Sequence, residues 1–225
     1  MKITCHEVEH PWISIEDFYD QKELDFIWEE LDFVSYPWKM LTPDGTNSAK
    51  VDGIPIKKNL GLFLDNLYKD RIYSNVLTAN RKLLMCEQGR NKGKLTILQN
   101  HNNWFFKYFR LVDEASLLSY YENEDHYKPH EDMASITALT WLYKEPKKFT
   151  GGDLVFPITN EIIECKNNKM VIFPSCVTHQ VTTVKMDKEY EGKRLGRWCI
   201  SQFLHGVKTE KVVVVPPPPP VIEKR

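Results

Sequence analysis

The sequence predicts an α+β protein in which helices near the N-terminus support a double-sheet jelly roll. Helical periodicity is confined to the first part of the chain, whereas after about residue 95 short segments rich in β-branched and aromatic residues alternate with Gly, Pro, Asn or Asp. The chain has 225 residues, of which 42% are hydrophobic, and this is enough for one domain with a sizeable core. A sandwich of another topology stays open, because periodicity does not fix strand order.

The first helix is expected to begin at a capping box formed by Asp20 and Glu23. Apolar residues then recur at positions i, i+3, i+4 and i+7, namely Leu24, Ile27, Trp28 and Leu31. A helix with one apolar face needs a surface to cover, so we expect it to buttress a sheet. After a loop rich in turn residues, Ile72–Met85 is predicted as a second, weaker helix.

Eight or nine short strands are predicted in the rest of the chain. The segments are Lys94–Leu98, Trp104–Phe109, Ser116–Tyr121, Ile136–Tyr143, Asp153–Ile158, Ile162–Cys165, Met170–Pro174, His179–Val184 and Arg197–Leu204. Residues 1–94 are therefore expected to form a helical and loop lead-in that packs on a core of residues 95–207 within one domain. Residues 208–225 are expected to be a proline-rich tail, because Pro216–Pro220 favours an extended polyproline II rod that could bind a partner.

Charge and cysteine content exclude several classes of protein. Lys and Arg total 30 against 31 for Asp and Glu, so the basic footprint typical of nucleic-acid binding is missing from the sequence. Neither a signal peptide nor an apolar run long enough to span a bilayer is recognisable. The five cysteines are scattered and form no CxxC pair, which favours a reducing compartment. We expect a soluble cytoplasmic protein, in the host cytoplasm if the source is viral, with no membrane or nucleic-acid partner.

A candidate metal site is formed by His130, Asp132 and His179, which make an HxD…H pattern. In a strand, residues i and i+2 project to the same face, so His130 and Asp132 could hold one ion while Glu131 points away. His179 begins another predicted strand and could complete the site from a neighbouring one. Two imidazoles and one carboxylate are the ligands of non-haem Fe(II) oxygenases, although an isolated HxD is also common in surface pairs. Cys176 is expected to be a small buried thiol rather than a ligand.

Further motifs flank this pattern in a fixed order over about residues 105–206. They are a tyrosine-led approach to HxD from Tyr121, the strand Ile136–Tyr143, the turn Gly151–Pro157, the segment Val171–Ser175 before His179, and Gly196–Trp198. Together they resemble the Fe(II)/2-oxoglutarate-dependent oxygenases, specifically the prolyl 4-hydroxylase-like branch. Trp12–Phe18 is also similar, less specifically, to the N-terminal segment of that branch.

The resemblance implies a double-stranded β-helix with His130, Asp132 and His179 as the catalytic Fe(II) ligands. It also implies 2-oxoglutarate and O2 as co-substrates and ascorbate as a reductant. The expected reaction couples decarboxylation of 2-oxoglutarate to succinate with hydroxylation of a substrate C–H bond. Because related halogenases lack the carboxylate ligand, Asp132 favours hydroxylation over halogenation.

The far carboxylate of 2-oxoglutarate needs a cation, and Arg197 is the candidate because arginine is permanently charged and binds carboxylates bidentately. Its strand is expected to lie beside that of His179. The family usually places the basic residue about ten positions after the distal histidine, and the polar insertion Lys185–Lys193 would account for the longer spacing here. Arg194 stays an alternative. Tyr121 matches a family position whose hydroxyl assists 2-oxoglutarate binding, although a core aromatic residue would fit as well.

Three functions stay open on the sequence alone, because fold and metal do not choose a substrate. The first is hydroxylation of a prolyl or other residue in a protein or peptide, and the second is hydroxylation of a free amino acid or small metabolite. The third is a non-catalytic binding or assembly protein with a proline-rich interaction tail. Nucleobase demethylation is disfavoured, because that branch of the family carries two arginines six positions apart, unlike Arg194 and Arg197.

Overall fold

The computed structural model describes residues 1–35, 39–46, 48–84, 96–99, 101–107 and 109–208. Its helices are α1 (Gln21–Val34), α2 (Leu64–Leu67), α3 (Asn75–Leu84), α4 (Thr96–Gln99) and α5 (Trp104–Lys107). Its strands are β1 (Lys2–Glu7), β2 (Pro11–Glu16), β3 (Lys50–Val51), β4 (Ile54–Pro55), β5 (Lys57–Lys58), β6 (Leu60–Phe63), β7 (Phe109–Tyr121), β8 (His126–His130), β9 (Ile136–Leu142), β10 (Phe149–Thr150), β11 (Leu154–Phe156), β12 (Glu161–Ile163), β13 (Lys169–Pro174), β14 (His179–Val181), β15 (Lys185–Met186) and β16 (Arg197–Lys208).

Two antiparallel sheets form the core. The major sheet has the order β1-β2-β13-β9-β16-β7-β6, and the minor sheet has the order β12-β11-β14-β8-β5. One hydrophobic cluster joins their inner faces, with Leu139 and Trp141 of the major sheet and Leu154 and Phe156 of the minor sheet among its members. The α+β class with a jelly-roll core, as predicted, is confirmed.

Helices cover the outer face of the major sheet. A second cluster contains Ile27 and Leu31 of α1 and Leu77 of α3, together with Ile172 and Ile200 from the sheet. Every residue of β9 is buried, because alternate side chains enter the two clusters. The sheet is therefore fixed on both faces, which provides a rigid support for side chains on its inner face.

Helix α1 begins at the predicted capping box. Asp20 accepts a hydrogen bond from the Glu23 backbone N–H, and the Glu23 carboxylate accepts one from the Asp20 backbone N–H. The predicted buttressing role of this helix is confirmed. The second predicted helix is present as α3 after a short 3₁₀ turn at Arg71–Tyr73, and Met85 lies outside the described residues.

Two strand predictions are wrong. Thr96–Gln99 and Trp104–Lys107 are short helices, whereas residues 94, 95 and 108 lie outside the described residues. The aromatic run beginning at Trp104 has high β propensity. Asn103 nevertheless starts a helical turn, because its side chain accepts the Phe105 N–H and its carbonyl accepts the Lys107 N–H. A local cap therefore outweighs strand propensity.

The segment before residue 95 contributes strands as well as the expected helices and loops. Strand β2 pairs with β13, with Ile15 opposite Met170, and β6 pairs with β7. Strand β16 runs to Lys208, and residues 209–225 with the proline run lie outside the described residues. Among the helices that the structure describes, none is both long and apolar enough to cross a membrane.

Candidate active site

The three predicted metal ligands meet at one point of the minor sheet. His130 ends β8 and His179 begins β14, and the two residues are direct partners across these antiparallel strands. Asp132 lies two residues beyond β8, where its N–H donates to the Ser175 carbonyl at 3.0 Å, so the expectation that it shares a strand with His130 is wrong. Its carboxylate oxygens lie 3.7 Å from Nε2 of His130 and 3.4 Å from Nε2 of His179.

Both imidazoles have a fixed proton position. Nδ1 of His130 lies 2.9 Å from the Lys128 carbonyl oxygen, and Nδ1 of His179 lies 2.9 Å from that of Val177. A carbonyl only accepts, so each Nδ1 carries a proton and Nε2 is the ring atom available to a metal ion. Burial, and then the neighbouring His179, lower the pKa of His130 to about 4, so its ring is neutral at pH 7. The ligand atoms of the triad all lie within 4.8 Å of one another, which suits one metal ion.

Asp132 is held in place by a hydroxyl that the sequence analysis missed. Thr137 Oγ1 donates to Asp132 Oδ2 at 2.6 Å and lies 2.8 Å from Ser175 Oγ. Burial raises the pKa of the Asp132 carboxyl, but its contacts with His179 and Thr137 outweigh burial and keep that pKa below its ordinary value. The carboxylate is therefore an oriented anion. Thr137 is one of two threonines in the otherwise apolar strand β9, and nothing in the sequence distinguishes it from Thr140.

Arg197 points into the same pocket from the facing sheet. It is completely buried, and the pocket that it lines also contains the triad and Tyr121. Its guanidinium carbon lies 4.7 Å from the ring centre of Tyr121 and 5.8 Å from that of Trp141. Among the described residues, none makes a hydrogen bond of good geometry with its Nε, Nη1 or Nη2, although the thiols of Cys165 and Cys199 lie beside the guanidinium. Strand β16 belongs to the major sheet and β14 to the minor sheet, so the expectation that they are neighbours is wrong.

The family comparison matches the part of the chain that carries these residues. The model described as 2OG-Fe(II) oxygenase superfamily covers residues 115–205, which include the triad, Tyr121 and Arg197. This segment is therefore similar to the 2OG-Fe(II) oxygenase superfamily. Enzymes of this class are dioxygenases that use Fe(II), 2-oxoglutarate and O2, so the expected enzyme class is confirmed. Among curated protein sequences, none matches the chain significantly.

Solved structures share the fold of this chain over most of its length. A prolyl-4-hydroxylase from Pseudomonas putida is 14% identical with a TM-score of 0.59, over 88% of this chain and 94% of that one. A prolyl hydroxylase from Trichoplax adhaerens, in complex with a peptide fragment of the hypoxia inducible factor oxygen degradation domain, is 12% identical with a TM-score of 0.58, over 86% and 83% of the chains. A 2OG-Fe(II) oxygenase family oxidoreductase from Burkholderia pseudomallei is 12% identical with a TM-score of 0.55, over 88% and 87%.

The residues of this pocket fit both Fe(II) and 2-oxoglutarate. Two imidazoles and a carboxylate with converging ligand atoms are a donor set for Fe(II). The buried guanidinium of Arg197 lacks a counter-charge at hydrogen-bond distance, and a buried unpaired cation is costly. The distal carboxylate of 2-oxoglutarate would supply that charge. Burial raises the pKa of the Tyr121 phenol, so its hydroxyl keeps its proton and can donate to the same carboxylate.

Two glycines of the flanking motifs make room for this pocket. Gly152 has φ +72°, and a Cβ there would lie 2.6 Å from Cδ of Arg197. A Cβ at Gly196 would lie 2.1 Å from the Tyr121 carbonyl oxygen, at the point where β16 approaches β7. The glycine-rich turn therefore has a second effect besides turning the chain, since it leaves space for the stem of Arg197.

The other candidates lie away from the pocket. The Arg194 Nη1 donates to the Asp32 carbonyl oxygen at 3.2 Å, at the end of α1, and the side chain of Arg194 is 39% exposed. Arg197 is thus the arginine that reaches the triad. Cys176 is exposed, so the expectation of a buried thiol is wrong. It lies in the turn before β14, where the chain is open to solvent.

A buried lysine that the sequence analysis missed lies at the pocket entrance. Lys57 of β5 is only 6% exposed and lines both the triad pocket and an outer cavity of about 420 Å³. Its Nζ lies 5.5 Å from the ring centre of Tyr127, which stacks on His130 with 3.5 Å between ring centres. Burial lowers the pKa of Lys57 to about 8, and the charge of Asp132 opposes that change. One lysine in a two-residue strand gives no sequence signal of such burial.

Proposed function

We propose that this oxygenase hydroxylates a C–H bond of a prolyl or other residue in a protein or peptide, in the manner of prolyl 4-hydroxylases. The main support for this reaction type is that one pocket contains both a candidate metal site and a candidate carboxylate site. His130, Asp132 and His179 would hold Fe(II), and the unpaired guanidinium of Arg197 would bind the distal carboxylate of 2-oxoglutarate.

Bound iron and 2-oxoglutarate would supply the oxidising power: 2-oxoglutarate, O2 and the substrate C–H group give succinate, CO2 and a C–OH group, with one oxygen atom in succinate and one in the product. The protein would orient the metal ligands and the co-substrate and would keep water out of the pocket. Thr137 would orient Asp132, whereas Arg197 and Tyr121 would orient the co-substrate. Buried side chains such as Leu139 would exclude water from the pocket.

The outer cavity supports a peptide substrate. It adjoins Asp132, and its edge includes Met133, which is 97% exposed. The cavity is lined mainly by apolar side chains with a few polar groups, which is typical of a ligand-binding pocket. The Pseudomonas putida and Trichoplax adhaerens neighbours are prolyl hydroxylases, and the second was solved with a bound peptide.

A free amino acid or small metabolite is the second candidate substrate. The buried ammonium of Lys57 at the cavity entrance favours it, because small acids present a carboxylate close to every carbon. The proposed function has two further components. Ascorbate would reduce the iron, and a partner protein would bind the tail at Pro216–Pro220.

The test is release of succinate from 2-oxoglutarate by the protein with Fe(II) and ascorbate. Proline-containing peptides are expected to raise the rate above that of the protein alone, with a mass gain of one oxygen atom in the peptide. Stimulation by free amino acids alone would favour the second candidate. No decarboxylation under any of these conditions would contradict the proposed reaction and favour a binding protein that keeps the fold.

A further inference from the structure

Lys57 is a buried cation without a counter-ion at contact distance. Only 6% of its surface is exposed, and among the described residues no hydrogen bond or ion pair engages its ammonium group. Tyr127 packs below it, and Lys57 is paired with this tyrosine across β5 and β8. Burying an ammonium group costs free energy unless an anion or hydrogen-bond acceptor compensates it. The molecule that fills the cavity is the available source of such a group.

The charges of the loaded site leave Lys57 uncompensated. A divalent metal ion and Arg197 together carry three positive charges, and Asp132 with the two carboxylates of 2-oxoglutarate carry three negative ones. These charges sum to zero. Lys57, beside them, then carries a positive charge that none of them balances. Glu131 also lines the outer cavity, but its carboxylate accepts a hydrogen bond from Thr178 and makes no ion pair with Lys57.

The two basic residues differ in the spaces that they reach. Arg197 lines the triad pocket and not the outer cavity, whereas Lys57 lines both of these spaces. A substrate in the outer cavity can therefore contact Lys57 while its reacting carbon approaches the triad. The rest of the cavity wall is largely apolar, with Phe63, Ala115, Leu117 and Phe203 among its residues. In such surroundings, a hydrogen bond between an ammonium group and a carboxylate is stronger than in water.

We infer that Lys57 binds a carboxylate of the substrate, so that the hydroxylated molecule carries a carboxylate close to the oxidised carbon. The inference rests on the proposed function and specifies its substrate class. The carboxylate has two possible sources, the α-carboxylate of a free acid and an acidic side chain next to the hydroxylated residue of a peptide. Lys57 determines specificity in either case.

Matched ligand pairs separate these sources. N-acetylproline and N-acetylprolinamide differ only in the α-carboxylate, and the peptides Ac-Pro-Glu-NH2 and Ac-Pro-Gln-NH2 differ only in the side-chain carboxylate. Each is titrated calorimetrically into the protein loaded with Mn(II), with and without 2-oxoglutarate. Binding is thus measured without turnover. Succinate release with Fe(II) then gives kcat/KM for the same pairs.

The variants are Lys57→Met, which keeps the stem but removes the charge, and Lys57→Arg, which keeps the charge. Lys58→Met is the matched control, because Lys58 follows in the same strand but is exposed and contacts Asp125. In at least one pair, the acid is expected to bind the wild type about tenfold or more tightly than its amide. Lys57→Met should lose this preference with an unchanged affinity for 2-oxoglutarate, whereas Lys58→Met should keep it and Lys57→Arg should keep most of it.

Equal binding of acid and amide by the wild type in both pairs would overturn the inference, even if Lys57→Met fails to fold. The inference would also be overturned if Lys57→Met kept the preference for the acid over the amide. The same holds if Lys57→Met lost affinity for 2-oxoglutarate but kept that preference. Failure of the proposed function would give a different result from failure of this inference. The wild type would then release no succinate, but the binding titrations would still test the role of Lys57.

Discussion

Arg197 lies directly opposite Tyr121 on neighbouring antiparallel strands, and its guanidinium carbon is 4.7 Å from the centre of the tyrosine ring. Cross-strand partners point to the same face of a sheet, so both polar groups enter the pocket that contains His130, Asp132 and His179. The ring stabilises the cation through its π face but supplies no hydrogen-bond acceptor in the guanidinium plane. The guanidinium therefore keeps its hydrogen-bonding capacity for a ligand.

Replacing Arg197 with methionine is expected to weaken binding of 2-oxoglutarate by about 10- to 100-fold, because hydrogen bonds to charged groups contribute about 1.5–3 kcal/mol. The free energy of unfolding should not fall, since an unpaired buried charge is removed. Calorimetric titration of the Mn(II)-loaded protein measures the first effect and urea unfolding the second. Arg194→Met is the control, because Arg194 contacts Asp32 instead. Wild-type affinity in the Arg197 variant would refute the assignment.

Gly152→Ala is expected to reduce affinity for 2-oxoglutarate by about tenfold or more, because the new Cβ would lie 2.6 Å from Cδ of Arg197 and displace its stem. Gly192→Ala is a matched control for backbone strain. Gly192 has φ +71°, close to the +72° of Gly152, but a Cβ there would meet nothing within 4 Å. Both variants should lose about 1 kcal/mol of stability from the left-handed backbone. Equal loss of affinity in both would mean that strain, and not contact with Arg197, is responsible.

Thr137→Val is expected to weaken metal binding by about 10- to 100-fold, because Asp132 loses the hydroxyl that orients its carboxylate. The substitution keeps the shape of the side chain. Thr140→Val is the control in the same strand, and no hydrogen bond joins Thr140 to Asp132. Competition between the protein and a chromophoric chelator for Mn(II) measures the affinity. Unchanged affinity in the Thr137 variant would show that Asp132 is oriented by other contacts.

Metal binding is expected to raise the melting temperature, because an ion that binds only the folded state stabilises it. At a free ion concentration 100 times the dissociation constant, the gain is about 2.7 kcal/mol. A chelator should reverse the shift, and Asp132→Ala should lose most of it. Glu131→Ala should keep it, since Glu131 contacts Thr178 and not the triad. If the rise in melting temperature persists in Asp132→Ala, the ion binds at another site.

The sequence predicts features that depend on local patterns. The capping box at Asp20 and the apolar periodicity of α1 hold in the structure, and so do the strands that carry His179 and Arg197. The convergence of the triad followed from its spacing together with the flanking motifs. These signals depend on neighbours in the chain, which is why they can be recognised without coordinates.

Other features depend on contacts between distant segments. Trp104–Lys107 looks like a strand by composition, but the capping contacts of Asn103 make it helical. Lys57 looks like an exposed residue of a loop and is buried only because β5 pairs with β8. The strand of Arg197 was expected beside that of His179, and only the strand order places the two in facing sheets. Pairing over long separations is not encoded in periodicity.

Decarboxylation of 2-oxoglutarate shows whether His130, Asp132 and His179 support oxygenase chemistry. The wild type with Fe(II) and ascorbate is expected to release succinate, and Glu131→Ala should do the same at a comparable rate. Asp132→Ala should lose the activity almost completely, because the iron loses its only carboxylate ligand among the three residues that converge in the pocket. Succinate release by Asp132→Ala at the wild-type rate would contradict the role of Asp132 as a metal ligand. No succinate release by the wild type would contradict the proposed reaction.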